Sequence, residues 1–154
     1  MDTVTTRRAA AADSIALTDI ARQSFGSYVE RMEGQRPAPM DADYAEAVAR
    51  DLVWVAEVSG EVAGFLVLVD RPGVTLLENV AVHPDRQGRG VGRRLMAIAE
   101  EHARAAGSHT IRLYTNAAMQ ENRRLYARLG YREVDRRVDD GFDRIFFEKS
   151  TSAG

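Results

Sequence analysis

The residues with the clearest chemical capacity are Gln87 to Gly92, QGRGVG. They follow the apolar run Leu76-Leu77-Glu78-Asn79-Val80-Ala81-Val82 and precede a helical pattern that starts at Arg93. That is a strand, a glycine loop and a helix start. Gly88, Gly90 and Gly92 leave no side chains over the loop, so backbone N–H groups can point together toward one anion, with a helix N-terminus behind them. Such a cradle implies a ligand that carries phosphate. Arg86, Arg89, Arg93 and Arg94 flank it and can offer charge-assisted hydrogen bonds to phosphates; Arg86 and Arg89 lie within the loop, whereas most arginines on such a helix are merely solvated. Glu78 is the one carboxylate inside an apolar strand, and burying it unpaired is costly. It is expected either to face a cavity, where desolvation would suit it to act as a general base, or to pair with an arginine or sit on an exposed stretch of strand.

Several chemistries are excluded or disfavoured by what the chain lacks. The G-x-G-x-x-G fingerprint of dinucleotide folds fails because the residue three past Gly90 is Arg93, and G-x-x-x-x-G-K-[ST] is absent. Lys149 is the single lysine, which argues against Schiff-base chemistry, and there is no cysteine for disulfides, thiolate metal sites or thiol nucleophiles. His83, His102 and His109 show no metal-ligand spacing, so no metal is expected. A net charge of −2, with 21 basic residues dispersed among 23 acidic ones, gives no sign of nucleic-acid binding. No apolar run is long enough to span a bilayer, and the first residues carry no signal-peptide core, so a cytoplasmic protein without membrane contact is the expectation.

The elements that must position these residues read as a single domain over residues 1–154. A short strand from Arg7 leads to Asp13 as a helix N-cap, with an apolar stripe of Ile15, Ile20 and Ala21 running toward Tyr28. Two prolines make 35–40 a loop. Asp41 or Asp43 caps a second short helix, after which Leu52 to Val58 and Val62 to Val69 form a hairpin across Ser59-Gly60. Val74 to Val82 is a third strand. Beyond the glycine loop, Val91, Leu95, Ile98, Ala99 and His102 fall at helical spacing up to Gly107. Thr110 to Thr115 is a strand, Met119 to Leu129 a helix ended by Gly130, and Tyr131 to Val138 pairs with Phe142 to Glu148 as a closing hairpin. The order β α α β β β α β α β β predicts an α/β fold with a mixed sheet.

The pattern Gln87-x-x-Gly90-x-Gly92, after a strand ending Val80-Ala81-Val82-His83-Pro84, resembles the signature of the GCN5-related N-acetyltransferase (GNAT) superfamily. The later segment Leu125-Tyr126-Ala127-Arg128-Leu129-Gly130-Tyr131 is similar to the family's second motif, Y-x-x-L-G-F/Y. Together the two cover about Leu76 to Tyr131. The resemblance implies a mostly antiparallel mixed sheet with helices on both faces and a splayed central strand pair. It also implies an acetyl-CoA-dependent N-acetyltransferase, with the loop from Arg86 through Val91 and Gly92 on the pyrophosphate. One departure is Met119, where many relatives carry asparagine; Asn116 or Asn122 are the candidates to take over that cofactor contact.

What the resemblance implies for chemistry is direct transfer of an acetyl group to a primary amine. The strand of Val80, Ala81 and Val82 parts from Leu113 to Thr115, and a backbone N–H near Val80 stabilises the oxyanion at the thioester carbonyl; an ordinary buried strand fits these valines too. Tyr126 is the candidate general acid, since a phenol stays protonated at neutral pH and can protonate a leaving thiolate, although a core aromatic at helical spacing with Asn122 and Leu129 reads the same. Tyr28, Arg31 and Tyr114 are the acceptor-side candidates. The acceptor is a small-molecule or peptide amine, and acidic residues at Asp139, Asp140 and Asp143 hint at a cationic one. A different class, a non-catalytic module that holds acyl-CoA as a regulatory ligand, would carry the same loop. A homodimer through the closing strands is compatible with Phe142, Ile145, Phe146 and Phe147, which equally suit a core.

Overall fold

The structure, a computed structural model, describes residues 3–151; residues 1–2 and 152–154 of the expected single domain lie outside the described residues. The strands are β1 (Val4–Arg8), β2 (Val53–Val58), β3 (Glu61–Arg71), β4 (Val74–Val82), β5 (Thr110–Asn116), β6 (Arg132–Asp139) and β7 (Phe142–Ser150). The helices are α1 (Ser14–Phe25), α2 (Tyr28–Arg31), α3 (Tyr44–Ala49), α4 (Val91–Ala105) and α5 (Gln120–Arg128). Hydrogen-bonded strands follow the order β1-β2-β3-β4-β5-β7-β6. Pairing is antiparallel for β1–β2, β2–β3, β5–β7 and β6–β7 and parallel for β4–β5, the mixed, mostly antiparallel sheet that the sequence predicts. The chain divides into two compact units, one of residues up to Leu68 with Asn79–Ala99, the other of Val69–Glu78 with the chain from Glu100 onward.

In the first unit, β2 and β3 are joined by a two-residue turn whose Ser59 and Gly60 both have positive φ, 54° and 79°, the backbone that matches the twist of a hairpin. Val53, Val55, Ala56 and Val58 of β2 and Ala63 to Leu68 of β3, apart from Gly64, supply core, and Phe65 meets Tyr44 of α3 edge-on at 5.0 Å. Each such side chain contributes about 1.5–3 kcal/mol on burial. Asp43 caps α3 by accepting the Glu46 N–H at 3.0 Å. Three expectations shift. The first strand starts at Val4, upstream of Arg7. Asp13 stands at the α1 N-cap but turns its carboxylate to Arg7, at 2.7 and 3.1 Å, and to the Ala10 N–H. Ile15 is 83% exposed, so the buried stripe is Leu17, Ile20, Ala21 and Phe25, and the helix breaks at Gly26 before α2.

In the second unit, the parallel pairing of β4 with β5 ends at Leu77, in line with the parting that the family resemblance implies. Strand β4 pairs with β5 from Val74 opposite Thr110 to Leu77 opposite Leu113, whereas β5 stays paired with β7 to Asn116 opposite Arg144. Buried Thr75 and Ser108 share a hydrogen bond of 2.8 Å, and Thr75 also donates to Asp70, which holds His102 at 2.9 Å. That network satisfies polar groups which burial would otherwise penalise. Gly107, at φ 76°, ends α4 while the Ser108 N–H bonds back to the Ala103 carbonyl. Asp140 and Gly141 make the β6–β7 turn with φ of 53° and 80°. Ile145 and Phe147 are core; Phe142 and Phe146 are half-buried. Among the described residues, no helix is long and apolar enough to cross a membrane.

Candidate active site

The glycine loop belongs to the first unit and grows directly out of the end of β4. His83 N–H donates to the Ala63 carbonyl at 2.8 Å, and His83 Nδ1 accepts the Asp85 N–H, starting a 3-10 turn over Pro84–Arg86. Arg86 is drawn to Glu61 at 3.0 Å, and the Gln87 amide leans back on the Val82 carbonyl at 3.4 Å. Gly88 and Gly90 then take φ of 79° and 84°, the left-handed region where a side chain costs about 1–2 kcal/mol. A Cβ built at either meets nothing within 4 Å. The Arg94 N–H donates to the Gly90 carbonyl at 3.0 Å, so helical bonding of α4 begins at the last left-handed glycine. Gln87, Gly88, Arg89 and Gly90 are exposed, while Val91 behind them is buried and Gly92 lies against Val82.

Strand and helix are locked together beneath that loop. Ala81 is buried, and Val80 and Val82 are half-buried. Tyr28 and Arg31 of α2 are brought to each other, the guanidinium 5.1 Å from the ring centre.

The second unit carries the other candidates, and it decides between the two settings open to Glu78. Glu78 is exposed, not enclosed: Thr75, Leu77 and Ala81 take the inner positions of β4, and Glu78 points with Leu76 to the open side. The desolvation that would have activated it is missing. Glu78 and Tyr114 line one cleft of about 680 Å³, walled further by Leu76, Val134 and Phe146. Two ion pairs border it, Arg112 with Glu148 and Arg137 with Asp135. Tyr114 meets Phe146 at 5.8 Å and carries the Arg144 guanidinium 4.3 Å over its ring. Burial pushes the Tyr114 phenol above its ordinary value, with Arg144 opposing.

Asn116 and Asn122 are both engaged around the start of α5. Asn116 Oδ1 accepts the Ala118 N–H at 2.9 Å, closing a turn. Asn122 Nδ2 lies 3.5 Å from both Thr115 Oγ1 and the Met119 sulfur, and Met119 itself is buried. Tyr126 is 5% exposed and packs its ring against Tyr131 at 6.0 Å and Phe147 at 5.8 Å; it does not line the cleft of Glu78 and Tyr114. Of the acidic residues of the closing hairpin, Asp143 pairs with Arg136, while Asp139 at 3.0 Å and Asp140 at 3.9 Å share Arg144, which leaves one negative charge of the three without its own cation. Arg112 and Arg137 escape the sequence reading, and Phe146 enters it only as interface or core. Their common cleft depends on the β5–β7 register, which sets Tyr114 opposite Phe146 and Arg112 opposite Glu148.

No group of three metal-ligating side chains occurs among the described residues. The loop fits a diphosphate on its own geometry, since two exposed left-handed glycines with open space above them lead into a helix of fifteen residues. The profile described as the Acetyltransferase (GNAT) family matches residues 15–131. The chain belongs to that family. Of the GNAT structures it resembles, the PaiA N-acetyltransferase from Thermoplasma acidophilum in complex with coenzyme A superposes with a TM-score of 0.80 at 19% identity, covering 96% of this chain and 99% of that one. L-amino acid N-acyltransferase MnaT of Escherichia coli is 29% identical over 134 residues, 81% of this chain and 77% of the relative. Mycothiol acetyltransferase of Mycobacteroides abscessus is 36% identical over 63 residues, 41% of this chain. The chain spans only 21% of the length of that relative and 37% of the aminoalkylphosphonate N-acetyltransferase of Salmonella typhimurium.

Proposed function

We propose that this GNAT protein is an N-acetyltransferase that moves an acetyl group from acetyl-CoA to a primary amine by direct attack. The observation that carries the proposal is the loop: Gly88 and Gly90 in left-handed conformation at the head of α4, on a chain whose residues 15–131 match the family. In this reading the main-chain amides from Gln87 to Gly92 hold the diphosphate, with Arg89 as a nearby cation. Arg86 steadies the loop through its pairing with Glu61.

Each remaining candidate then has one task. The N–H of Val80 stabilises the oxyanion that forms as the amine adds to the thioester carbonyl, flanked by Ala81 and Val82. The carbon–sulfur bond breaks, Tyr126 donates its phenolic proton to the departing thiolate, and the second proton, shed by the nitrogen as the amide forms, passes through solvent to restore the phenol. Glu78, exposed to water, removes the proton of the incoming ammonium through a solvent molecule instead of as a desolvated base. Tyr114 borders the acceptor, and Asn116 and Asn122 hold the turn that starts α5.

Release of free CoA with a panel of amines tests the proposal. Turnover in the wild type, and a fall in kcat of about 10²-fold or more in Tyr126→Phe with acetyl-CoA binding unchanged, is the expected outcome. Acetyl-CoA binding without transfer to any amine would replace it with a non-catalytic acyl-CoA-binding protein.

A further inference from the structure

The cleft shared by Glu78 and Tyr114 has an uneven charge balance. It is lined by two arginines and three carboxylates. Arg112 is bound by Glu148, its Nε at 2.7 Å, and Arg137 by Asp135. Arg144, which stacks over Tyr114, is held by Asp139 at 3.0 Å. Every guanidinium at this wall is therefore committed to a carboxylate. Glu78 has no ion pair or hydrogen bond among the described residues, so one negative charge is left over.

The aromatic faces are committed as well. Arg144 covers Tyr114, and Arg137 lies 4.1 Å over Phe146, so these ring faces are already taken by cations. Recognition of an incoming ammonium falls to Glu78 alone, while Leu76, Val134 and the edges of Tyr114 and Phe146 offer apolar wall. At about 680 Å³ the cleft has room for a body larger than a short alkyl chain.

We infer that the acceptor is an apolar monoamine, a primary ammonium on an aromatic or branched aliphatic body that carries no carboxylate of its own. The inference rests on the acetyltransferase reading above. An α-amino acid would bring a carboxylate to a wall that has no uncommitted cation and one uncommitted anion, and like charges at close range disfavour it.

Matched acceptor pairs separate the two classes: phenethylamine against phenylalanine, and 3-methylbutylamine against leucine, each pair differing by one carboxylate. Free CoA release is expected to show a kcat/KM for the amine at least about tenfold above that of its amino acid. Glu78→Gln shrinks that ratio, and Glu148→Gln, which unties Arg112, raises kcat/KM for the amino acids. Equal or better use of the amino acids overturns the inference and leaves the transferase standing. If no acceptor of either series releases CoA, the transferase reading falls, and calorimetric binding of the same pairs decides the cleft: tighter binding of the amine upholds its preference, and equal or weaker binding overturns it.

Discussion

Gly64 of β3 lies directly beneath Ala81 of β4: a Cβ at Gly64 would sit 2.8 Å from the Ala81 carbonyl oxygen, 3.0 Å from Val91 Cγ1 and 3.2 Å from Leu95 Cδ1. The absent side chain at Gly64 is what lets the first turns of α4 settle against the strands. Strand end, loop and helix start are in this way fixed as one object. The carbonyl is backbone and cannot swing aside as a long side chain would. Gly64→Ala is expected to cost about 1–3 kcal/mol as an overpacked core, read as a fall in Tm of about 2–4 °C per kcal/mol. A Tm unchanged within error would show that the helix is free to move off the strand.

Gly88 and Gly90 pose the opposite situation, with open space but a left-handed backbone. Alanine at either position strains the loop by about 1–2 kcal/mol without a clash. Acetyl-CoA affinity is expected to fall about tenfold while the Tm moves little, because the strain is relieved by moving amides out of their cradle. Calorimetry and thermal melts on the same samples separate the two effects.

Tyr131 of the second unit gives a test of stability. Tyr131 is buried, and its hydroxyl has no hydrogen-bond partner among the described residues. Replacing it by phenylalanine removes an unsatisfied polar group and is expected to stabilise by about 1 kcal/mol, with kcat unaltered. Burial raises the Tyr131 phenol well above its ordinary value of 10.0, so the native state keeps a proton that the unfolded chain loses. Its contribution to stability is present below pH 10 and is lost as pH climbs beyond it; Tyr131→Phe should flatten the alkaline limb of the stability curve.

Asp13 behaves in the reverse sense in acid. The Arg7 guanidinium holds its carboxylate below the ordinary 3.8. The native state therefore binds fewer protons than the unfolded chain near that pH, and the stabilisation is present above about 4 and lost as pH falls. Asp13→Asn is expected to cost about 1 kcal/mol at neutral pH, a low figure because Arg7 is 39% exposed, and to remove that part of the acid dependence. A pH-stability curve parallel to the wild type would contradict the pairing.

Much of this architecture is readable from the sequence because local chemistry decides it. The glycines of the loop, the strand Val74 to Val82 and the helix spacing of Val91, Leu95 and Ala99 depend on neighbours a few residues away. Ile15 misled because helical spacing places a residue on a face without saying that the face is covered; α1 leaves that position open. For Glu78 the sequence leaves two settings open, and alternation along β4 decides between them: Thr75 and Leu77 are buried and Glu78 turns outward, onto an exposed stretch of strand that borders the cleft. The cleft was beyond reach, since its arginines and Phe146 meet Tyr114 only through the pairing of β5 with β7, strands separated by α5 and β6 in the chain.

The grip of the loop on a diphosphate is measured most directly by titrating acetyl-CoA and S-acetylpantetheine, which shares the thioester arm but lacks the diphosphate and the nucleoside beyond it, into the folded protein in a calorimeter, with adenosine 3′-phosphate titrated alongside to account for the nucleoside. Acetyl-CoA is expected to bind in the micromolar range and S-acetylpantetheine about 100-fold more weakly, the loss of two charge-assisted hydrogen bonds. Equal affinity for the two, or no heat with acetyl-CoA, would contradict the assignment of residues Gln87 to Gly92.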